Sequence, residues 1–261
     1  MSGQYSAHCR LRSLRCERTP DANDTDPAAG GQEAIPRMQA RRLAVDGAFE
    51  FTAMVFPDDR GAVASHFHED PFTNATGRPL FPVAQTLHSR SRKDVVRGIH
   101  YTAVPPGAAK YVYSSRGRSL DIVVDIRIGS PTYGRWDSVV LDQESFRALY
   151  LPFGVGHVFV SLEEDTVMTY LLSTVYLAEQ EMALSPLDPA LDLPLPRGAA
   201  PIMSKRDLEA PTLAEARGRG ALPLYSECLG LEGAAVPSTR SGLSRQEGAH
   251  LQSPPFSPGT E

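Results

Sequence analysis

From about residue 38 to about residue 196 the chain is a succession of short apolar runs cut apart by glycine and proline. The runs AFEFTAMVF (48–56), AKYVYSS (109–115), SLDIVVDIRI (119–128), DSVVLD (137–142), RALYLPF (147–153), HVFVSLEED (157–165) and TVMTYLLS (166–173) are of strand length. They are rich in β-branched and aromatic residues, and turn-forming residues bound them. This pattern predicts an all-β sandwich or barrel. In LDIVVDIR the alternation sets Leu120, Ile122, Val124 and Ile126 on one face and Asp121, Val123, Asp125 and Arg127 on the other, the period of a strand. Only near the end does the pattern change: SKRDLEAPTLAEARGRG (204–220) reads as a short helical appendage. No internal repeat is visible.

The two ends differ from this middle. Residues 1–37 and the tail from about Ala234 are poor in aromatics and rich in Arg, Ser, Pro, Ala and Gly. Such segments bury too little to offset their ordering entropy, so both are expected to be disordered, with one folded domain at 38–233. Met38 is the expected start of the folded unit, what precedes it being an extension or an overlong reading of the gene. Of the 261 residues, 41% are hydrophobic, enough for a sizeable core. A net charge of −5 gives no case for nucleic acid or an anionic membrane as partner. No run approaches the roughly 20 apolar residues that span a bilayer, and the apolar centre of a secretory signal is lacking. Three cysteines, Cys9, Cys16 and Cys228, make an odd count, with two in a segment expected not to fold. That argues against a disulfide framework and for a reducing cytoplasm.

Chemistry is suggested by RGIHYTAVPPGAAKYVY (97–113), where His100 and Lys110 flank a Pro-Pro-Gly connection between two strand-like runs. Taken alone, His100 reads as a packing residue, Lys110 as a solvated strand end, Tyr170 as a half-buried aromatic, and Asp207 as a helix cap. Trp136 reads as packing.

In combination these residues resemble a family. DDRG (58–61), VVRGIHY (95–101), AKYV (109–112), DIVVDIRIGSPTYGRWDSVVLD (121–142), LYLPFGVGHVF (149–159), VMTYLLSTVYLAEQE (167–181), LDPALDLPLP (187–196) and SKRDLEAP (204–211) stand in order. They are similar to segments of the nucleotide-diphospho-4-keto-6-deoxysugar 3,5-epimerases, a branch of the cupin superfamily. The resemblance runs from Met38 to about Gly233. It implies a cupin-type jelly-roll barrel, a homodimer, no metal and no organic cofactor, and a dTDP-4-keto-6-deoxyhexose as substrate. Epimerisation beside a ketone needs a base, an acid across the ring, and a donor or cation at the enolate oxygen. By resemblance His100 is the base, Asp207 the carboxylate paired with it, Tyr170 the acid and Lys110 the enolate stabiliser. Arg60, Gln85, Arg97, His157 and Glu181 are implied substrate-binding residues.

The chain also departs from that pattern. The aromatic and the Glu that usually follow the family's D-RG are replaced near Val63 and Ser65, and Gln-x-Asn becomes QTL, with Leu87. Base, acid and enolate residues persist while substrate contacts change, which points to an altered sugar or altered regiochemistry, as among relatives that make antibiotic deoxysugars. Two other readings stay open. SHFHED (65–70), with His66, His68 and Glu69, and PFGVGH (152–157), with His157, would suit a metal-dependent cupin isomerase or oxygenase. A sugar-nucleotide binding module without catalysis would account for the altered contacts.

Overall fold

The computed structural model describes residues 38–196 and 200–234. Its thirteen described strands are β1 (Gln39–Arg42), β2 (Phe49–Thr52), β3 (Met54–Asp58), β4 (Gly61–Ser65), β5 (Gln85–Ser91), β6 (Val96–Thr102), β7 (Lys110–Arg116), β8 (Arg118–Val124), β9 (Trp136–Asp142), β10 (Arg147–Leu151), β11 (Gly156–Ser161), β12 (Thr166–Leu172) and β13 (Glu181–Ala183). Helices α1 (Glu69–Thr76), α2 (Lys205–Leu208), α3 (Leu213–Gly218) and α4 (Tyr225–Ala234) complete the described chain.

A six-stranded sheet in the order β1-β2-β10-β7-β12-β5 faces a five-stranded one, β13-β6-β11-β8-β9, and β3-β4 stand apart as a hairpin. Pairing within the sheets is antiparallel. This is the expected jelly-roll barrel. Val112, Leu149, Leu151 and Met168 of one sheet meet Val123, Val139, Leu141 and Phe159 of the other between the layers. Each such side chain contributes about 1.5–3 kcal/mol when fully buried.

Both sheets are also covered on the outside. Ile99, Ile122, Val124 and Val158 pack against Leu184, Leu213, Ala216 and Leu222 from the C-terminal region. Phe49, Phe51, Tyr111 and Tyr150 pack against Phe72 of α1 and Cys228 of α4. The alternation of LDIVVDIR therefore separates two buried faces, not a wet one from a dry one. Asp125 and Arg127 form a buried ion pair at 2.8 Å, and Ser130 and Thr132 donate to the same carboxylate at 2.6 and 2.5 Å. The DIR-GSPT run is thus a scaffold that closes the turn after β8, with positive φ at Gly129 and Gly134.

Three elements differ from expectation. AFEFTAMVF is not one strand: Ala53 interrupts it, its N–H bonding to Phe146 O, and among the described residues β3 pairs only with β4. Helix α1 has no apolar stripe to announce it, since Phe72 is its one buried residue. The helical appendage is α2 and α3, extended by α4. The expected disorder of residues 1–37 and of the tail from Ala234 lies outside the described residues, except that Ala234 itself is the last residue of α4; Cys9 and Cys16 also lie outside them.

Candidate active site

His100 owes its position to a bulge. Opposite β11, His100 pairs with His157 and Arg97 with Phe159, so β6 spends one residue more than its partner between these pairs. The extra residue lets both Arg97 and His100 face the barrel interior, where a regular strand would turn one of them outward. Gly98 makes it feasible. Its φ is +123°, and a Cβ there would lie 2.4 Å from His157 O and 2.7 Å from Val158 Cα.

Asp207 reaches His100 from 107 residues away. The segment before α2 is pinned to the start of β6, with Val96 N–H donating to Ile202 O and Ile202 N–H to Asp94 O. Ser204 caps α2, accepting from Asp207 N–H, so the carboxylate is left for another partner. His100 Nε2–H donates to Asp207 Oδ1 at 2.7 Å, and the Asp207 side chain is only 3% exposed. Burial pushes the Asp207 carboxyl up, but the hydrogen bond and charge of His100, with Ser204 and the Gly98 N–H, outweigh it and hold the group below the usual carboxylate range. This tautomer leaves the Nδ1 lone pair of His100 free to take a proton.

Lys110 and Tyr170 face His100 across the barrel. His100 belongs to the five-stranded sheet, while Lys110 on β7 and Tyr170 on β12 belong to the six-stranded one. The Pro-Pro-Gly connection is therefore a crossover between sheets that sets His100 and Lys110 on opposing walls. All three line one cavity of 240 Å³, together with Arg97, His157 and Glu181. Burial lowers the Lys110 ammonium from its ordinary value, against the opposing charge of Glu181. Burial and the charge of Asp121 raise the Tyr170 phenol, against Ser89 and Arg97, so it keeps its proton through the neutral range. His157 Nε2–H donates to Asp121 Oδ1 at 2.6 Å, and Ser119 donates to the other oxygen at 2.7 Å. Thr102 donates to Glu181 Oε1 at 2.6 Å.

A model of the family described as dTDP-4-dehydrorhamnose 3,5-epimerase matches residues 42–215. The chain belongs to the dTDP-4-dehydrorhamnose 3,5-epimerase family. A "dTDP-4-dehydrorhamnose 3-epimerase" of Streptomyces niveus is 44% identical over 205 residues, covering 78% of this chain and 97% of that protein. The crystal structure of a 4-keto-6-deoxy sugar epimerase from the novobiocin biosynthetic gene cluster of Streptomyces spheroides superposes with a TM-score of 0.70. It has 44% identity and covers 76% of this chain and all of that one. A 3′-monoepimerase from Streptomyces bikiniensis, solved with dTDP-quinovose, gives a TM-score of 0.70 at 42% identity, over 74% and 97% of the two chains.

Of the nine residues singled out from the sequence of this epimerase-family chain, seven meet at or against the cavity: His100, Lys110, Tyr170, Arg97, His157 and Glu181 on its wall, and Asp207 behind His100. Gln85 acts one step removed, its Oε1 accepting from Tyr176 N–H at 2.7 Å and so fixing the segment that carries Tyr176 over the mouth. Arg60 is not brought there. It lies at the tip of the β3–β4 hairpin, 88% exposed, with its guanidinium on Asp58 at 2.6 Å. The residues of the metal reading are also apart. The His66 ring stacks on Tyr113 at 4.3 Å, while His157 sits inside the barrel on Asp121. Asp121, Ser204 and Thr102 escaped the sequence reading. The signal for Asp121 was there: an acidic residue on the same strand face as core Val123.

Proposed function

We propose that this protein inverts one or both carbons beside the C4 ketone of a dTDP-4-keto-6-deoxyhexose, in deoxysugar biosynthesis, within a catalytic domain spanning residues 38–233. The observation that carries the reading is the convergence on one cavity of a histidine oriented by a buried carboxylate, a protonated tyrosine and a half-buried lysine. His100 Nδ1 takes the proton from C3 or C5, and the C–H electron pair moves into the ring to give an enolate. Lys110 donates to the developing C4 oxyanion, a charge that a cation in a water-poor cavity stabilises strongly. Tyr170 returns a proton to carbon from the opposite wall, and solvent reprotonates the phenolate. The carbon of an enolate is more basic than a buried phenolate, so the raised phenol still acts as the acid.

Arg97 also lines an adjoining cleft of 400 Å³ with Arg90, Arg92 and Arg206, cations suited to a diphosphate. Tyr176 at the mouth offers an exposed ring to a base. We further propose a homodimer, because Arg60 can meet a substrate only if its hairpin reaches the cavity of a second copy. A cytoplasmic setting fits the free buried thiol of Cys228. No described helix is long and apolar enough to cross a membrane.

The test is proton NMR of dTDP-4-keto-6-deoxyglucose in D₂O. Deuterium enters at C3, C5 or both with the parent protein, and His100→Ala slows entry by about 10²–10⁴-fold. No entry with the parent, or undiminished entry with the variant, would overturn the reading.

A further inference from the structure

We propose that Leu87 makes the cavity selective for a 4-ketosugar that carries hydrogen, in place of a hydroxyl, at C2. The inference rests on the epimerase reading of the site and names the substrate class within it.

Leu87 stands on β5, the open edge of the six-stranded sheet, directly opposite Tyr170 and on the same interior face. Leu172, two residues beyond Tyr170, continues the same wall, and both leucines line the cavity. A strip of hydrocarbon therefore runs beside the acid. Three hydroxyls around the cavity are engaged with protein: Thr102 donates to Glu181 at 2.6 Å, Thr174 to Gly107 O at 3.3 Å, and Ser89 shares a 3.5 Å contact with Tyr170. The imidazole Nε2 of His157 is held by Asp121. Lys110, Tyr170 and Arg97 also line the cavity, and the enolate, the ring carbon and the diphosphate require their donors.

The chemistry fixes the sugar's direction. Its C4 oxygen lies at Lys110, and C1, opposite C4 in the ring, carries the diphosphate towards the arginines of the β5–β6 seam. Arg97 marks that seam, its Nε–H donating to Ser91 on β5 at 3.1 Å. C2, beside C1, comes level with the edge strand and so with Leu87. A hydroxyl there exchanges water for the methyl groups of Leu87, a cost that hydrogen does not incur.

The experiment offers equimolar dTDP-4-keto-6-deoxyglucose and its 2-deoxy counterpart in one D₂O reaction and follows deuterium entry into each. Competition cancels the fraction of active enzyme, so a poorly folded variant still yields a valid ratio. The parent is expected to favour the 2-deoxy sugar by on the order of 10- to 100-fold, the range for an added hydroxyl in an apolar pocket. Leu87→Ala keeps that preference, and Leu87→Asn, which supplies a donor and an acceptor, narrows it at least tenfold or inverts it. Exchange of both sugars at equal rates by the parent, or a ratio unmoved by Leu87→Asn, overturns the assignment while leaving the epimerase reading intact. Exchange of neither overturns both.

Discussion

Asp207 is the residue on which the orientation of His100 depends, and its ionisation ties that orientation to pH. The folded protein holds this carboxyl below its ordinary value, so the native state binds the proton less readily than the unfolded chain. Its stabilising contribution is fully present above the unfolded value, ~3.8–3.9, and is lost as pH falls through the lower folded value. Asp207→Asn keeps the shape and removes the charge. At neutral pH it should cost about 1–3 kcal/mol of stability and slow turnover by about 10²–10⁴-fold, because the amide favours the wrong imidazole tautomer. Urea unfolding of parent and variant, repeated from pH 7 down to the carboxylate range, checks the sign: the gap closes in acid. A gap of constant size would mean that the carboxylate's charge is not its source.

At the scale of elements, the β6 bulge is the device that aims His100 into the cavity. Gly98→Ala forces a Cβ onto the backbone of β11, 2.4 Å from His157 O, at a φ that L-residues rarely adopt. Backbone strain and overpacking together should cost about 2–6 kcal/mol, seen as a lower urea midpoint at unchanged slope. Exchange activity should fall further than the loss of folded protein explains, since His100 moves with the strand. A variant of parental stability would show that the strand can slip to absorb the group. How legible such elements are depends on how local their causes are. The strands of 109–173 stood out because alternation and turn residues act within a few positions, and β8 could be read residue by residue. The burial of its outer face could not, because α3 and the chain around Leu222 supply that cover from some ninety residues away. Helix α1 had only end signals: Glu69 and Asp70 with Pro71 in its first turn, and Gly77 at φ +78° after its last residue. His100 and Lys110 were singled out through resemblance, yet their placement on opposing sheets follows from a crossover that spacing does not encode. The bond from Asp121 to His157 is likewise a product of strand register.

On the scale of the whole molecule, a net charge of −5 coexists with arginines gathered at the seam beside the cavity, so positive charge is concentrated locally. One cation of the expected set stands outside it. Arg60 projects from a hairpin that belongs to neither main sheet and carries the exposed apolar residues Phe56 and Val63. A solvent-exposed pair with Asp58 gives this arm little to do within its own chain. In a two-fold dimer the same patch serves both copies, so each hairpin can close the partner's cavity. Mixing two inactive variants, Arg60→Ala and His100→Ala, by co-expression tests this. Half of randomly formed dimers are mixed, and each mixed dimer has one cavity with His100 from one copy and Arg60 from the other, so about a quarter of parental activity should return. If Arg60 serves its own chain, or no chain, the mixture recovers nothing beyond the sum of the separate variants, and sizing of the protein in solution then shows whether the dimer itself or only the reach of the hairpin was wrong.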